Sequence, residues 1–297
     1  MTTSARTATD LMVRLSAVEG VVFDIDGALV LSDLPGGHGG APLPGAVEAI
    51  EAIRASGRTS VVFTNASSQV PADIAASLTA MGFQLGVDDV LTPSVVAAEV
   101  ILSRYGHGPV LAFGGPGLTD VLDAAGIERT DLDRPTEAVA VIVGWDVAFD
   151  RTKLQSACEA VWNGAPVLVT SDARRFASAT KAQAGVGGFI AAGLKYVSGV
   201  DYEVVGKPSA AAMDIAARRL GTAPRHVLVA GDDLNLEVDM ALAAGAIGVL
   251  VTTGMHGRDD AAAREADRAP HLIVDRLAEL VEQIRLADRA AGRGPAA

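Results

Sequence analysis

The sequence predicts an α/β fold, a doubly wound and mostly parallel sheet with a second α/β unit inserted into it. Three observations predict this. Short apolar runs alternate with Ala-rich helical segments along nearly the whole chain. Carboxylates, hydroxyls, an amide and a lysine gather directly after four of those runs, which is where open parallel sheets bind ligands. The runs in the middle of the chain lack that density, which sets them apart as a separate unit.

The apolar runs are residues 21–23, 60–63, 110–113, 139–143, 167–169, 204–205, 227–229 and 247–251. Between them lie segments of helical periodicity. Residues 44–56 carry Pro44 and Gly45 at the start and Gly57 just past the end. Residues 71–81 close on Gly82, and residues 209–220 close on Gly221. The expected division is a first core part over 1–89, an inserted unit over 90–184, and a second core part over 185–297. A glycine-rich stretch, 34–41, reads as a flexible loop, and the tail 289–297 reads as frayed.

Composition narrows the function. Of 297 residues, 49% are hydrophobic and only 4% aromatic, so the core must be built from small aliphatic side chains that suit helices on a buried parallel sheet. A net charge of −12 argues against nucleic-acid binding through a global positive field. Cys158 is the only cysteine, so no intramolecular disulfide forms. The polar stretch from Met1 to Asp10 does not resemble a signal peptide, and no run approaches the roughly 20 apolar residues of a membrane span. A soluble cytoplasmic enzyme is the expectation.

The strand ends carry the chemistry. Asp24 and Asp26 are two residues apart, which in an extended segment puts both on one side. Gly27 permits a tight exit and close approach of a ligand. Two close carboxylates call for a divalent cation or a shared proton. Mg²⁺ suits such a site because it takes oxygen ligands and shares substrate phosphate. One carboxylate can attack phosphorus while the other protonates the leaving oxygen and then activates water. Thr64 and Asn65 offer a hydroxyl and an amide to phosphate, and Lys207 offers a point charge. Asp232 would complete a metal site with Asp24. Glu237 would hold a metal-bound water or orient Lys207, and Asp233 is a further neighbour. Each piece alone also fits an ordinary turn, helix cap or solvated lysine. Four matching strand ends in one order weigh against that reading.

With these residues in hand, the chain resembles the haloacid dehalogenase superfamily of phosphohydrolases. The likeness is greatest to the subgroup with a large α/β cap, which includes nitrophenyl, phosphoglycolate and pyridoxal phosphate phosphatases. The motifs stand as Asp24-Ile25-Asp26-Gly27, Thr64-Asn65-Ala66-Ser67, Gly206-Lys207-Pro208, and Gly231-Asp232 followed by Glu237. The resemblance implies a Rossmann-like core with an inserted cap. It implies Asp24 as nucleophile and metal ligand, and Asp26 as general acid/base and metal ligand through its main-chain carbonyl. Asp232 is implied as a further metal ligand, Mg²⁺ as cofactor, a small phosphomonoester as substrate, and a homodimer paired through the caps.

Two departures from the subgroup stand out. It usually has Asp where Glu237 stands. Its cap usually has Thr-Asn-x-Asp after a strand, where this chain has Thr170-Ser171-Asp172-Ala173-Arg174-Arg175. Ser171, Asp172, Arg174 and Arg175 are therefore candidates for substrate contact, with either arginine favouring an anionic substrate. The rival readings are a phosphotransferase on the same scaffold and a catalytically weak regulatory or binding protein. Gly114–Gly117, His107, Cys158, His256 and Arg258 are read as turn, loop, packing or rim residues without chemistry.

Overall fold

The computed structural model describes residues 3–176 and 183–293. Ten strands carry the architecture. They are β1 (Gly20–Phe23), β2 (Thr59–Phe63), β3 (Val90–Leu91), β4 (Val110–Phe113), β5 (Ala140–Val143), β6 (Val167–Val169), β7 (Tyr202–Val204), β8 (Val227–Gly231), β9 (Ile247–Val251) and β10 (Leu272–Val274). Six form one sheet in the order β10-β9-β8-β1-β2-β3, every pair parallel. The other four form a second parallel sheet in the order β7-β6-β5-β4. Two small antiparallel pairs, 30–31 with 41–42 and 175–176 with 183–184, fringe the sheets.

The larger sheet is doubly wound for a reason visible in its side chains. Alternate residues of a strand face opposite sides. Val21, Val62, Leu228 and Ala230 enter one core with Ile50, Ile53, Leu280 and Ile284. Val22, Val61, Phe63 and Val229 enter another with Val96, Ile101, Met213 and Ala216. Helices Ala46–Ala55 and Leu277–Ala290 therefore cover one face, and helices Pro93–Tyr105 and Ala210–Leu220 the other. Thr92 and Ser209 cap the latter pair, accepting from the N–H groups of Val95 and Ala212 at 3.4 and 3.0 Å.

The second core does not stop at the larger sheet. It runs on through Val110, Leu118, Leu122, Ala140, Ile142 and Leu168. One face of the smaller sheet thus packs on the same apolar layer as the larger one. Its other face is covered by helices Arg151–Trp162 and Val186–Ser198, through Ala157, Cys158, Val161, Ile190 and Leu194.

Sheet membership differs from the expected division at 90 and 184. β3 begins at Val90 yet pairs with β2 in the larger sheet. β7, at 202–204, lies well past 184 yet pairs with β6 in the smaller one. The reason is that β7 is an edge strand of only three residues with a partly exposed face, so its apolar signal is too weak to assign it. The stretch 34–41 contains a turn at Pro35–Gly37 that holds a site residue, described below, rather than a loose loop. Helix Leu277–Ala290 reaches into the tail expected to fray, and residues 294–297 lie outside the described residues. No described helix is long and apolar enough to cross a membrane.

Arg58, at the entry to β2, is nearly buried and meets Asp288 of the last helix with two parallel bonds of 2.7 and 3.0 Å. Its Nε also donates to the Val18 carbonyl at 3.0 Å. Removing the carboxylate strands a buried guanidinium. Asp288→Ala is expected to cost about 3 kcal/mol, seen as a lower urea midpoint with an unchanged slope.

Candidate active site

The strand ends singled out in the sequence converge because β2, β1 and β8 are neighbours in register. Phe23 stands opposite Ala230, and the next residue, Asp24, donates its N–H to the Ala230 carbonyl at 2.8 Å. Asp24 and Asp232 therefore leave adjacent strands side by side. Lys207 arrives from the other sheet, three residues after β7 ends. Together with Asp26, Thr64, Asn65 and Glu237 these residues line one cleft, whose opposite wall is Gly144, Trp145, Ser171 and Arg175. The cleft holds about 720 Å³ of empty space, mouth included, which suits a small metabolite.

Lys207 is the hub. It is 1% exposed. Its ammonium donates to Asp24 Oδ1 at 2.5 Å, to the Phe63 carbonyl at 2.7 Å, and pairs with Glu237 Oε1 at 2.6 Å. Three acceptors match the three donors of an ammonium. Burial alone would lower the lysine's pKa, but Asp24 and Glu237 more than offset it, and the ammonium is held above the ordinary lysine range. Asn65 locks the same residue from its backbone side, accepting the Lys207 N–H at 3.0 Å and donating to the Lys207 carbonyl at 3.0 Å.

Asp26 is fixed by the turn that follows it. The N–H groups of Gly36 and Gly37 donate to its two carboxylate oxygens, each at 2.9 Å, and the Thr64 hydroxyl donates to Oδ2 at 2.9 Å. Burial nevertheless pushes Asp26 above the ordinary carboxylate range, against the pull of those donors. Asp232 Oδ2 accepts the Met255 N–H at 2.7 Å. Gly27, with φ 97°, and Gly254 approach this carboxylate so closely that a Cβ on either would collide with it.

Asp24, Asp232 and Glu237 are 5%, 3% and 1% exposed. Burial raises both Asp24 and Asp232; Lys207 opposes this at Asp24, while Glu237 and Asp26 reinforce it. At Asp232 the neighbouring Asp24 and Glu237 add to the rise. One ammonium thus faces an excess of carboxylates, and a divalent cation is the chemical complement of that excess. Among the described residues no three acidic, histidine or cysteine side chains form a ready metal cluster. Asp24 and Asp232 as a pair still fit Mg²⁺, which usually takes one or two protein carboxylates and fills the rest with water and phosphate.

Several expected contacts fall elsewhere. Of the residues read as phosphate binders, Asn65 has its side chain on the Lys207 peptide unit, and the Lys207 ammonium is on Asp24, the Phe63 carbonyl and Glu237. The Gly27 N–H donates to the Val30 carbonyl at 2.8 Å. Asp233 supports the turn after β8, accepting from the Asn235 N–H at 2.7 Å and giving its own N–H to Glu237 Oε2 at 3.1 Å. Of the four cap candidates, Ser171 and Arg175 line the cleft. Asp172 turns toward the Tyr202 hydroxyl at 3.4 Å, and Arg174 is exposed outside the lining. Sequence reasoning gave no role to Ser67. Its Oγ accepts from the Trp145 N–H at 3.0 Å and the Thr170 hydroxyl at 3.1 Å, joining the two walls of the cleft. Its position directly after Thr64-Asn65-Ala66 was the only available signal.

Comparison with known proteins finds hydrolases that share this fold. A haloacid dehalogenase-like hydrolase family profile matches residues 21–128, and a second, HAD-hydrolase-like profile matches residues 204–280. Rat (Rattus norvegicus) chronophin is 29% identical over 280 residues, covering 90% of this chain and 88% of its own. Human (Homo sapiens) haloacid dehalogenase-like hydrolase domain-containing protein 2 is 27% identical, covering 92% and 98%. Among solved structures, a 4-nitrophenylphosphatase from Thermotoga maritima superposes with a TM-score of 0.81 at 26% identity, covering 91% of this chain and 98% of that one. A glycerol phosphate phosphatase from Mycobacterium tuberculosis, in complex with magnesium, gives 0.79 at 27% identity, covering 92% and 79%.

The raised acids make a stability prediction. A carboxyl whose folded pKa lies above its unfolded value binds its proton more tightly when folded, so its contribution is lost as pH rises through the folded pKa. Metal-free Asp232→Asn is therefore expected to melt above wild type at pH 7. The gap should close as pH falls toward the ordinary carboxylate value of about 4. Thermal melts of both proteins across that range, in chelator, check the sign.

Proposed function

The chain belongs to the haloacid dehalogenase-like hydrolases, and on that premise we propose that it is a Mg²⁺-dependent phosphomonoester hydrolase acting through an aspartyl-phosphate on Asp24. The observation that carries this reading is the Lys207–Asp24 contact of 2.5 Å on the cleft floor, with Asp26 and Asp232 lining the same cleft. It gives a carboxylate aimed by a buried ammonium, beside a second acid whose proton affinity is raised.

An Asp24 carboxylate oxygen attacks phosphorus, and the bond from phosphorus to the leaving oxygen breaks. Asp26 gives its proton to that oxygen. Asp26 then takes a proton from water, whose oxygen attacks phosphorus, and the bond to Asp24 breaks to release inorganic phosphate. Asp24 and Asp232 would hold Mg²⁺, which when bound supplies charge neutralisation for the phosphoryl oxygens. The magnesium complex of the glycerol phosphate phosphatase supports this choice of metal. The Thr64 hydroxyl and the Gly36 and Gly37 amides keep Asp26 pointed into the cleft.

The unit built on the smaller sheet serves as the cap. It supplies Trp145, Ser171 and Arg175 to the cleft, so leaving-group selection is expected there and not at Asp172 or Arg174. The names of the relatives, nitrophenyl and glycerol phosphate phosphatases, support a small phosphomonoester.

Phosphate release from a panel of monoesters, with and without Mg²⁺, tests this. Asp24→Asn is expected to abolish Mg²⁺-dependent release. Asp26→Asn is expected to lower kcat by roughly 10²- to 10⁴-fold, the usual worth of a general acid/base. Near-wild-type turnover by Asp24→Asn would sink the proposal.

A further inference from the structure

We propose that Gln69 is a positioning residue for the proton donor: it pins the turn whose amides hold the Asp26 carboxylate. The inference rests on the phosphohydrolase reading above and concerns its leaving-group step. Gln69 stands outside the lining of the cleft, so it acts through that turn.

The turn needs holding. Gly36 and Gly37 sit at φ 77° and 74°, a region that glycine enters and leaves without steric cost. Pro35 has no N–H with which to tie the turn at its start. Gly36 and Gly37 each give an N–H to Asp26 at 2.9 Å, so the carboxylate is only as fixed as the turn. Gln69 supplies the tie. Its Nε2 donates to the Pro35 carbonyl at 2.6 Å. That carbonyl and the Gly36 N–H belong to one peptide unit, which is planar and points the two groups in opposite directions. A single rigid plane therefore accepts from Gln69 at one end and donates to Asp26 at the other. Each of the two bonds polarises the plane in favour of the other.

Gln69 is itself held from behind. A Cβ on Gly117, in the first turn of helix Pro116–Ala124, would collide with the backbone from Ser67 to Gln69. That backbone is thus wedged against the unit built on the smaller sheet, and helix Pro71–Ala80 starts two residues later. At the other end of the same segment, the Thr64 hydroxyl donates to Asp26 Oδ2. Residues 64–69 therefore hold the Asp26 carboxylate twice, directly through Thr64 and through the turn by Gln69.

The leaving group supplies the test. A departing alkoxide needs a proton, whereas 4-nitrophenolate leaves as the anion and gains little from an acid. Gln69→Leu and Gln69→Glu are compared with wild type on glycerol phosphate, an alkyl monoester, and on 4-nitrophenyl phosphate, at saturating Mg²⁺. Gln69→Glu keeps the size of the side chain but sets a carboxylate oxygen against the Pro35 carbonyl. In both variants kcat/KM is expected to fall roughly 10-fold on glycerol phosphate, the order of one lost hydrogen bond, and to stay within about 2-fold on 4-nitrophenyl phosphate. The second substrate reports an intact nucleophile and metal site, so misfolding does not mimic this result. Equal losses on both substrates would make Gln69 a purely structural residue and overturn the inference. No loss on either would overturn it as well. Asp26→Asn is run alongside: if its loss does not depend on the leaving group, the acid assignment itself falls, and the inference falls with it.

Discussion

A lysine ammonium with almost no access to water is the point from which this site is organised. Lys207 is stable as a buried cation because two carboxylates and a backbone carbonyl surround it. Removing either carboxylate leaves the buried ammonium one partner short at low dielectric, where that is expensive. The same three contacts fix where Asp24 points. Electrostatic cohesion and the aim of the Asp24 carboxylate are thus one arrangement seen from two sides.

The two sheets matter because Lys207 belongs to both. It follows β7 of the smaller sheet within three residues, yet its ammonium lies against β1 and β2 of the larger. Asn65 ties its backbone to the end of β2, and Ser67 ties Trp145 and Thr170 to the same loop. The apolar layer is continuous between the sheets as well. Changes in the wall that carries Trp145 and Ser171 can therefore reach the floor through short, named contacts.

Much of this was legible in the sequence, and the limits have physical causes. Parallel strands buried on both faces give continuous apolar runs, so β1, β2, β8 and β9 stood out, and with them the residues just beyond their ends. Asp24, Asp26, Thr64 and Asp232 follow that rule, whereas Lys207 follows the weaker run at 204–205. The rule says which residues reach the cleft but not what each touches. Asn65 looked like a phosphate donor, yet its amide is matched to a peptide unit 142 positions away. Asp172 looked like a substrate contact, yet a tyrosine hydroxyl on β7 turns it aside. Such pairings are made by tertiary packing and leave no local period to read. β7 itself was misassigned because a short edge strand with one exposed face carries little apolar signal. The turn at Pro35–Gly37 read as flexible from its glycines, although two of its amides grip Asp26.

The central claim is that Asp24 becomes covalently phosphorylated during turnover. The direct measurement is to quench the enzyme while it hydrolyses a good monoester, reduce the acyl phosphate with borohydride, and map the modified residue by peptide mass spectrometry. The account predicts homoserine at position 24 in wild type and none without substrate. Sustained turnover with Asp24 unmodified, or a label at another residue, would contradict it.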